Sequence, residues 1–160
     1  MARTILLTLL IICVIVAGIN VTSTLILASQ EKINKSRVPL PTGEDVVRIF
    51  FNLINEKRIP EAIGMMDSSM VPDDTTKQQW GIQFNSLSSV SVTKIEPFHK
   101  KEWTHTKKVY KVVLKVKVKP EAAQAPIPNY GWENGENIRW IHIQKNKKGL
   151  WKISQIATGP

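Results

Sequence analysis

Apolar residues in this chain recur at helical spacing up to about Ser88 and at every second position beyond it. One kind of element cannot satisfy both periods: a 3.6-residue repeat lines one face of a helix, and a repeat of 2 lines one face of a strand. The helical part opens at Thr42, which is followed three residues later by Asp45 in the manner of a capping box. Val46, Val47, Ile49, Phe50, Leu53 and Ile54 then fall on one broad apolar face. After "NEKRI", Pro60 suits the first turn of a second helix through Met66, and Asp73 to Thr75 can cap a third that carries Trp80, Phe84 and Leu87.

In the strand part, Val90 and Val92 alternate with small polar residues before the apolar phase slips to Ile95, which predicts a bulge and a bend. The stretch "VYKVVLKVKVK", Val109 to Lys119, is the second strand. It sends Tyr110, Val112, Leu114, Val116 and Val118 to one face, and Lys111, Lys115, Lys117 and Lys119 to the other. A long loop, "PEAAQAPIPNYGWENGE", leads to a closing hairpin of Asn137 to Gln144 and Leu150 to Ile156. Pairing Ile143 with Trp151 and Ile141 with Ile153, across a loop centred on Lys147, places four large apolar groups together. The opposite side of that hairpin then carries Trp140, His142, Lys152 and Ser154. The element order predicts an α+β fold with three helices packed on one face of a bent antiparallel sheet of about four strands.

Ahead of this domain lies an apolar segment. No charged residue occurs from Thr4 to Gln30, and a helix over the 25 residues from Thr4 to Ala28 would be about 37 Å long, against a hydrocarbon core of about 30 Å. The segment reads as an N-terminal transmembrane helix, giving an anchor in residues 1–30, a linker in 31–41 and a folded domain in 42–160. A cleaved secretory signal is the competing reading, with Ile5 to Ile19 as its apolar core behind "MAR". Either way the chain meets a membrane, as a single-pass protein with its C-terminal domain outside the cytoplasm or as a secreted one.

Two stretches resemble the nuclear-transport-factor-2-like superfamily, also called cystatin-like or SnoaL-like, in membrane-attached bacterial form. "VVRIFFNLINEKRIPEAIGMMD" is similar to the long first helix, polar turn and short second helix of that superfamily, and "NGENIRWIHIQKNKKGLWKISQIATGP" to its closing hairpin. The resemblance runs from about Thr42 to Pro160. It implies helices covering a curved sheet, and it leaves function open, because this fold carries isomerases, dehydratases, binding domains and scaffold pieces. One membrane-linked group, the inner-membrane scaffold of type IV secretion systems, has an Asn-Pro-x-Gly motif. That motif is missing here, where the nearest text is "PNYG", Pro128 to Gly131. Another such group, the N-terminal non-catalytic domain of certain penicillin-binding transpeptidases, works beside a catalytic domain.

Little in the chain resembles catalytic chemistry. The aspartates Asp45, Asp67, Asp73 and Asp74 all sit near expected helix ends, where capping accounts for them. His142 is the histidine inside a predicted strand and the candidate base; a register shift of one would turn it inward. Tyr130 and Trp132 are candidates for the mouth of a pocket. The three histidines lack ligand spacing, Cys13 lies in the apolar segment and no glycine-rich phosphate loop is present, so neither a metal nor a cofactor is expected.

Charge is segregated. Residues 94–119 hold nine lysines and two glutamates, residues 139–152 hold five basic residues and no acidic one, and residues 38–93 hold four basic and seven acidic ones. The plain reading of the strand lysines is the wetted side of a sheet. The functional reading is that Lys111, Lys115, Lys117, Lys119 and Lys152, with Trp140, meet an anionic lipid surface, a wall polymer or an acidic protein; nucleic acid is a lesser candidate. Like charges would also oppose a homodimer through the outer sheet face. These features point to a membrane-anchored, non-enzymatic binding or scaffold domain at the cell envelope. The alternative is a small-molecule carrier or enzyme with a pocket between sheet and helices. A polar group buried between the layers favours the second, and a filled apolar interior the first.

Overall fold

A computed structural model describes residues 40–124 and 131–160. The expected anchor and the linker up to residue 39 lie outside the described residues, and no helix among the described residues is long and apolar enough to cross a membrane. Pro41–Pro160 forms one compact unit. Its elements are α1 (Gly43–Asn55), α2 (Ile59–Gly64), α3 (Asp74–Asn85), β1 (Leu87–Phe98), β2 (Lys107–Val118), β3 (Gly135–Lys145) and β4 (Trp151–Ala157). The strands form a single antiparallel sheet in the order β1-β2-β3-β4. The described part is thus α+β, as the change of period predicts.

α1 begins with a reciprocal cap. The Thr42 hydroxyl accepts the Asp45 N–H at 3.3 Å, and the Asp45 carboxylate accepts the Thr42 N–H at 2.9 Å. The Thr42 hydroxyl, which donates to the same carboxylate at 2.7 Å, and after it the Thr42 N–H hold the Asp45 carboxyl below its ordinary value. The helix buries Val46, Val47, Phe50, Phe51, Leu53 and Ile54, whereas Ile49 is exposed, contrary to the expected face. At 100° per residue Ile49 falls roughly 120° from the centre of the buried stripe, outside its width, while Phe51 falls within it. Gly43 lets the first turn approach the sheet: a Cβ there would lie 2.7 Å from Ile143 Cδ1 and 2.9 Å from Tyr110 Oη.

α1 ends in a Schellman turn. The Arg58 N–H bonds to the Leu53 carbonyl and the Lys57 N–H to that of Ile54, with Lys57 at φ 63° where glycine is usual. The Lys57 ammonium then donates to the Leu87 carbonyl at 2.5 Å, tying this turn to the start of β1.

α2 ends at Gly64, short of the expected Met66, because Met66 forms a parallel bridge to Ile153. The Asp67 N–H donates to the Ile153 carbonyl at 2.7 Å and the Ile153 N–H to the Met65 carbonyl at 3.0 Å, which covers part of the β4 edge. In α3 the Asp73 carboxylate caps the Thr76 N–H at 2.7 Å. That helix buries only Gln83 and Phe84; Leu87, expected on it, opens β1 instead.

The sheet alternates as its sequence predicts. Tyr110, Val112, Leu114 and Val116 are buried against the helices, and Lys115 and Lys117 are exposed on the outer face. β1 has register shifts between Leu87 and Ser89 and between Val92 and Lys94, the second of which is the expected slip toward Ile95. The closing hairpin differs from its expected register. Ile143 pairs with Ile153, Ile141 with Ile156 and Lys145 with Trp151, with a shift after His142. The loop is centred one residue later because the Asn146 side chain accepts the N–H groups of Lys148 and Leu150 and Gly149 takes φ 76°. Ile141, Ile143 and Ile153 remain inward, since the two registers have the same parity.

Candidate functional site

Three of the lysines expected on the outer face occupy it, but acidic residues interrupt them. Lys111 pairs across strands with Glu96 and Trp140, Lys115 with Ser91 and Glu136, and Lys117 with Ser89. Lys94, beside Glu96 on β1, forms a 2.9 Å ion pair with it. Lys94 first, and Lys111 after it, hold the Glu96 carboxyl below its ordinary value.

Two expected members leave the face. β2 ends at Val118, so Lys119 follows the strand, where its N–H bonds to the Ser86 carbonyl and its charge helps pull the Lys57 amine down, after burial. Lys152, on an edge strand and free to wrap around it, donates to the Gly64 carbonyl at 2.6 Å at the end of α2.

His142 lies on the outer face between Val109 and Gln155, so it does not point inward. It lines an open cleft of about 550 Å³ with Phe98, His99 and Trp140. Burial pulls its imidazole below the ordinary value. The carboxylate in that cleft, Glu102, faces His99 at 3.4 Å. Trp140 meets the Phe98 ring edge to face at 6.0 Å, and its buried Nε1–H finds no acceptor among the described residues. The indole is therefore packed into the face rather than presented on it.

The inner face has a different character near α3. β3 alternation, which sends Ile141 and Ile143 inward, also sends Asn137 and Arg139 inward, and both are 5% exposed. Asn137 is structural: its amide accepts the Glu133 N–H and donates to the Glu133 carbonyl, closing the turn before β3. Arg139 lines a second cleft, of about 500 Å³, together with Trp80 and Gln83 of α3, Trp132, and Ile156 to Pro160. The guanidinium stacks 4.3 Å from the centre of the Trp132 ring. Its Nη1 donates to the Ile138 carbonyl at 2.8 Å and its Nη2 to the Gly131 carbonyl at 2.5 Å. Burial pulls the group down from its ordinary value, and Glu133 partly offsets this. Among the described residues no carboxylate lies within ion-pair distance of Arg139.

Trp132, expected at a pocket mouth, is instead 1% exposed and forms an inner wall of this cleft. Tyr130 lies outside the described residues. Arg139 and Gln83 went unnoticed in the sequence, although a signal for Arg139 was present. Once Ile141 and Ile143 are assigned inward, position 139 falls on the same face, and a cation on an apolar face calls for an explanation. Gln83 carried no such signal, because α3 has almost no apolar stripe to define an inward side.

The aspartates keep to the helical ends. Asp45 and Asp73 cap helices, and Asp67 accepts the N–H and hydroxyl of Ser69. Among the described residues no group of three or more His, Cys, Asp or Glu could hold a metal ion. The chain matches no family model and no curated protein.

Proposed function

We propose that residues 41–160 form a binding module which takes a small molecule into the cleft between α3 and the ends of β3 and β4, and which the apolar segment 4–28 carries at a membrane. The observation that supports this most is the burial of polar side chains between the layers. Gln83 and Arg139, at 6% and 5% exposure, sit beneath the helical cover on the wall of an open cleft. A layer interior kept only for stability excludes such groups unless partners compensate them. A volume of about 500 Å³ suits a small organic ligand.

Binding fits better than catalysis. The candidate base His142 is on the opposite face of β3, and no aspartate, glutamate or histidine is among the residues that line the inner cleft. The nuclear-transport-factor-2-like resemblance is consistent with a cleft of this kind between helices and sheet.

The test is a fragment screen by NMR on the full chain in a non-ionic detergent. Ligands of the cleft shift the Trp80 and Trp132 indole N–H signals, and Trp80→Ala or Gln83→Leu weakens them at least several-fold. A screen in which every binder maps to the outer face removes this reading.

A second reading, contact of the outer face with an anionic surface, draws on the exposure of Lys115 and Lys117. Near such a surface each lysine adds about 1 kcal/mol, but Glu96 and Glu136 sit among them. Equal, negligible flotation with anionic and neutral vesicles at low salt eliminates it.

A further inference from the structure

We infer that the inner cleft selects a small organic molecule bearing a single carboxylate, which Arg139 holds. The inference rests on the proposed ligand-binding role of the cleft and adds to it the class of ligand. A guanidinium has five N–H donors and no acceptor. Backbone carbonyls take one hydrogen on Nη1 and one on Nη2, and the Trp132 ring covers one face of the plane. That leaves three donors without a hydrogen-bond acceptor among the described residues, on a group that lines the cleft. Its charge is almost out of water, with Glu133 acting on it only from beyond ion-pair distance and no carboxylate among the described residues paired with it. A buried cation in that condition is stabilised by an incoming anion more than a solvated lysine is, because the local dielectric is low and the desolvation has already occurred on folding.

The rest of the wall narrows the class. The other side chains of the wall, from Trp80, Gln83 and Trp132 to the stretch Gln155 to Pro160, bring no second formal charge, so one negative charge on the ligand is matched and two are not. Trp80 and Ile156 offer apolar surface to an organic body, while Gln83 and Thr158 offer hydrogen bonds beside the charge. Planar bidentate geometry is what arginine supplies to a carboxylate and lysine does not.

The experiment uses the full chain in a non-ionic detergent and two matched pairs of probes: benzoate with benzamide, and octanoate with octanamide. The arginine side-chain Nε–H signals are followed by ¹⁵N NMR, and affinity is measured by calorimetry. The expected result is that a carboxylate shifts the Arg139 Nε–H signal and binds at least tenfold tighter than its amide. Arg139→Lys should retain binding but lose most of that preference, and Arg139→Met should abolish the preference. Should Arg139→Met fail to fold, the shift in the unaltered chain and the lysine variant still decide the matter.

Amides that bind as well as the acids, with the Trp80 signal moving, leave the cleft a ligand site and overturn the carboxylate assignment. No movement of any cleft signal with any probe overturns both, and makes Arg139 a clamp for the Gly131 and Ile138 carbonyls alone.

Discussion

The two ends of the helical layer bury the sheet in opposite ways. α1 lays six apolar side chains on it, with Phe50 and Phe51 edge to face at 5.2 Å, and this half of the interior is apolar. α3 contributes one fully buried apolar side chain, Phe84, whose ring meets Phe50 at 5.7 Å, and next to it the amide of Gln83. Trp80 stacks on Phe84 at 5.3 Å, and beyond it the inner cleft opens onto Arg139. On the proposed reading, the contrast separates a stabilising half from a binding half. The α3 half buries fewer apolar side chains and has a charged group on the wall of its cleft, and the cap and aromatic contacts of α3 help to hold that helix in place.

The largest test of that division is truncation in the apolar half. Phe50→Ala should cost about 3–5 kcal/mol in denaturant unfolding, as for a large ring removed from a core that cannot collapse; a loss below about 1 kcal/mol would show the α1 half to be loosely packed. Overpacking the same half comes next. Gly43→Ala should cost about 1–3 kcal/mol, because its Cβ would need Ile143 and Tyr110 to move.

A pH profile then separates out the cap of α1. The folded Asp45 carboxyl is held below its unfolded value, so its contribution is fully present above the ordinary carboxylate range and is lost as pH falls through the folded value. Asp45→Asn should flatten that part of the stability profile, below the ordinary carboxylate value of about 4; an unchanged slope would assign the acid loss to other carboxylates. The smallest effect belongs to α3. Ile82 is 48% exposed, and Ile82→Lys should change stability by no more than about 0.5 kcal/mol. A loss of several times that would mean that Ile82 is covered by a surface outside the described residues.

Most of the fold was legible because its local signals agree with one another. The reciprocal Thr42 and Asp45 cap, the buried stripe of α1, the inward Tyr110 to Val116 series and the bulge before Ile95 each follow from a spacing of a few residues. The misses arose where a long-range contact competed with a local rule. Met66 left the helical pattern to bridge Ile153, and Lys152 turned from the outer face to the end of α2. The hairpin moved by one loop position because a single side chain, Asn146, closes the turn.

The candidate site was less legible. The outer lysines were visible as charge, yet Glu96 and Glu136 became their neighbours only when strand pairing was set. Arg139 was visible only as one more basic residue.

By itself the order of residues determined which segments become helices and strands and which side of β2 is greasy, because those outcomes depend on periods of 2 and 3.6 within one segment. Tertiary structure alone decided that Arg139 would share a wall with Gln83 and Trp80, which stand more than fifty positions earlier. Pairing and layer packing bring such groups together, and both depend on contacts that no local repeat encodes.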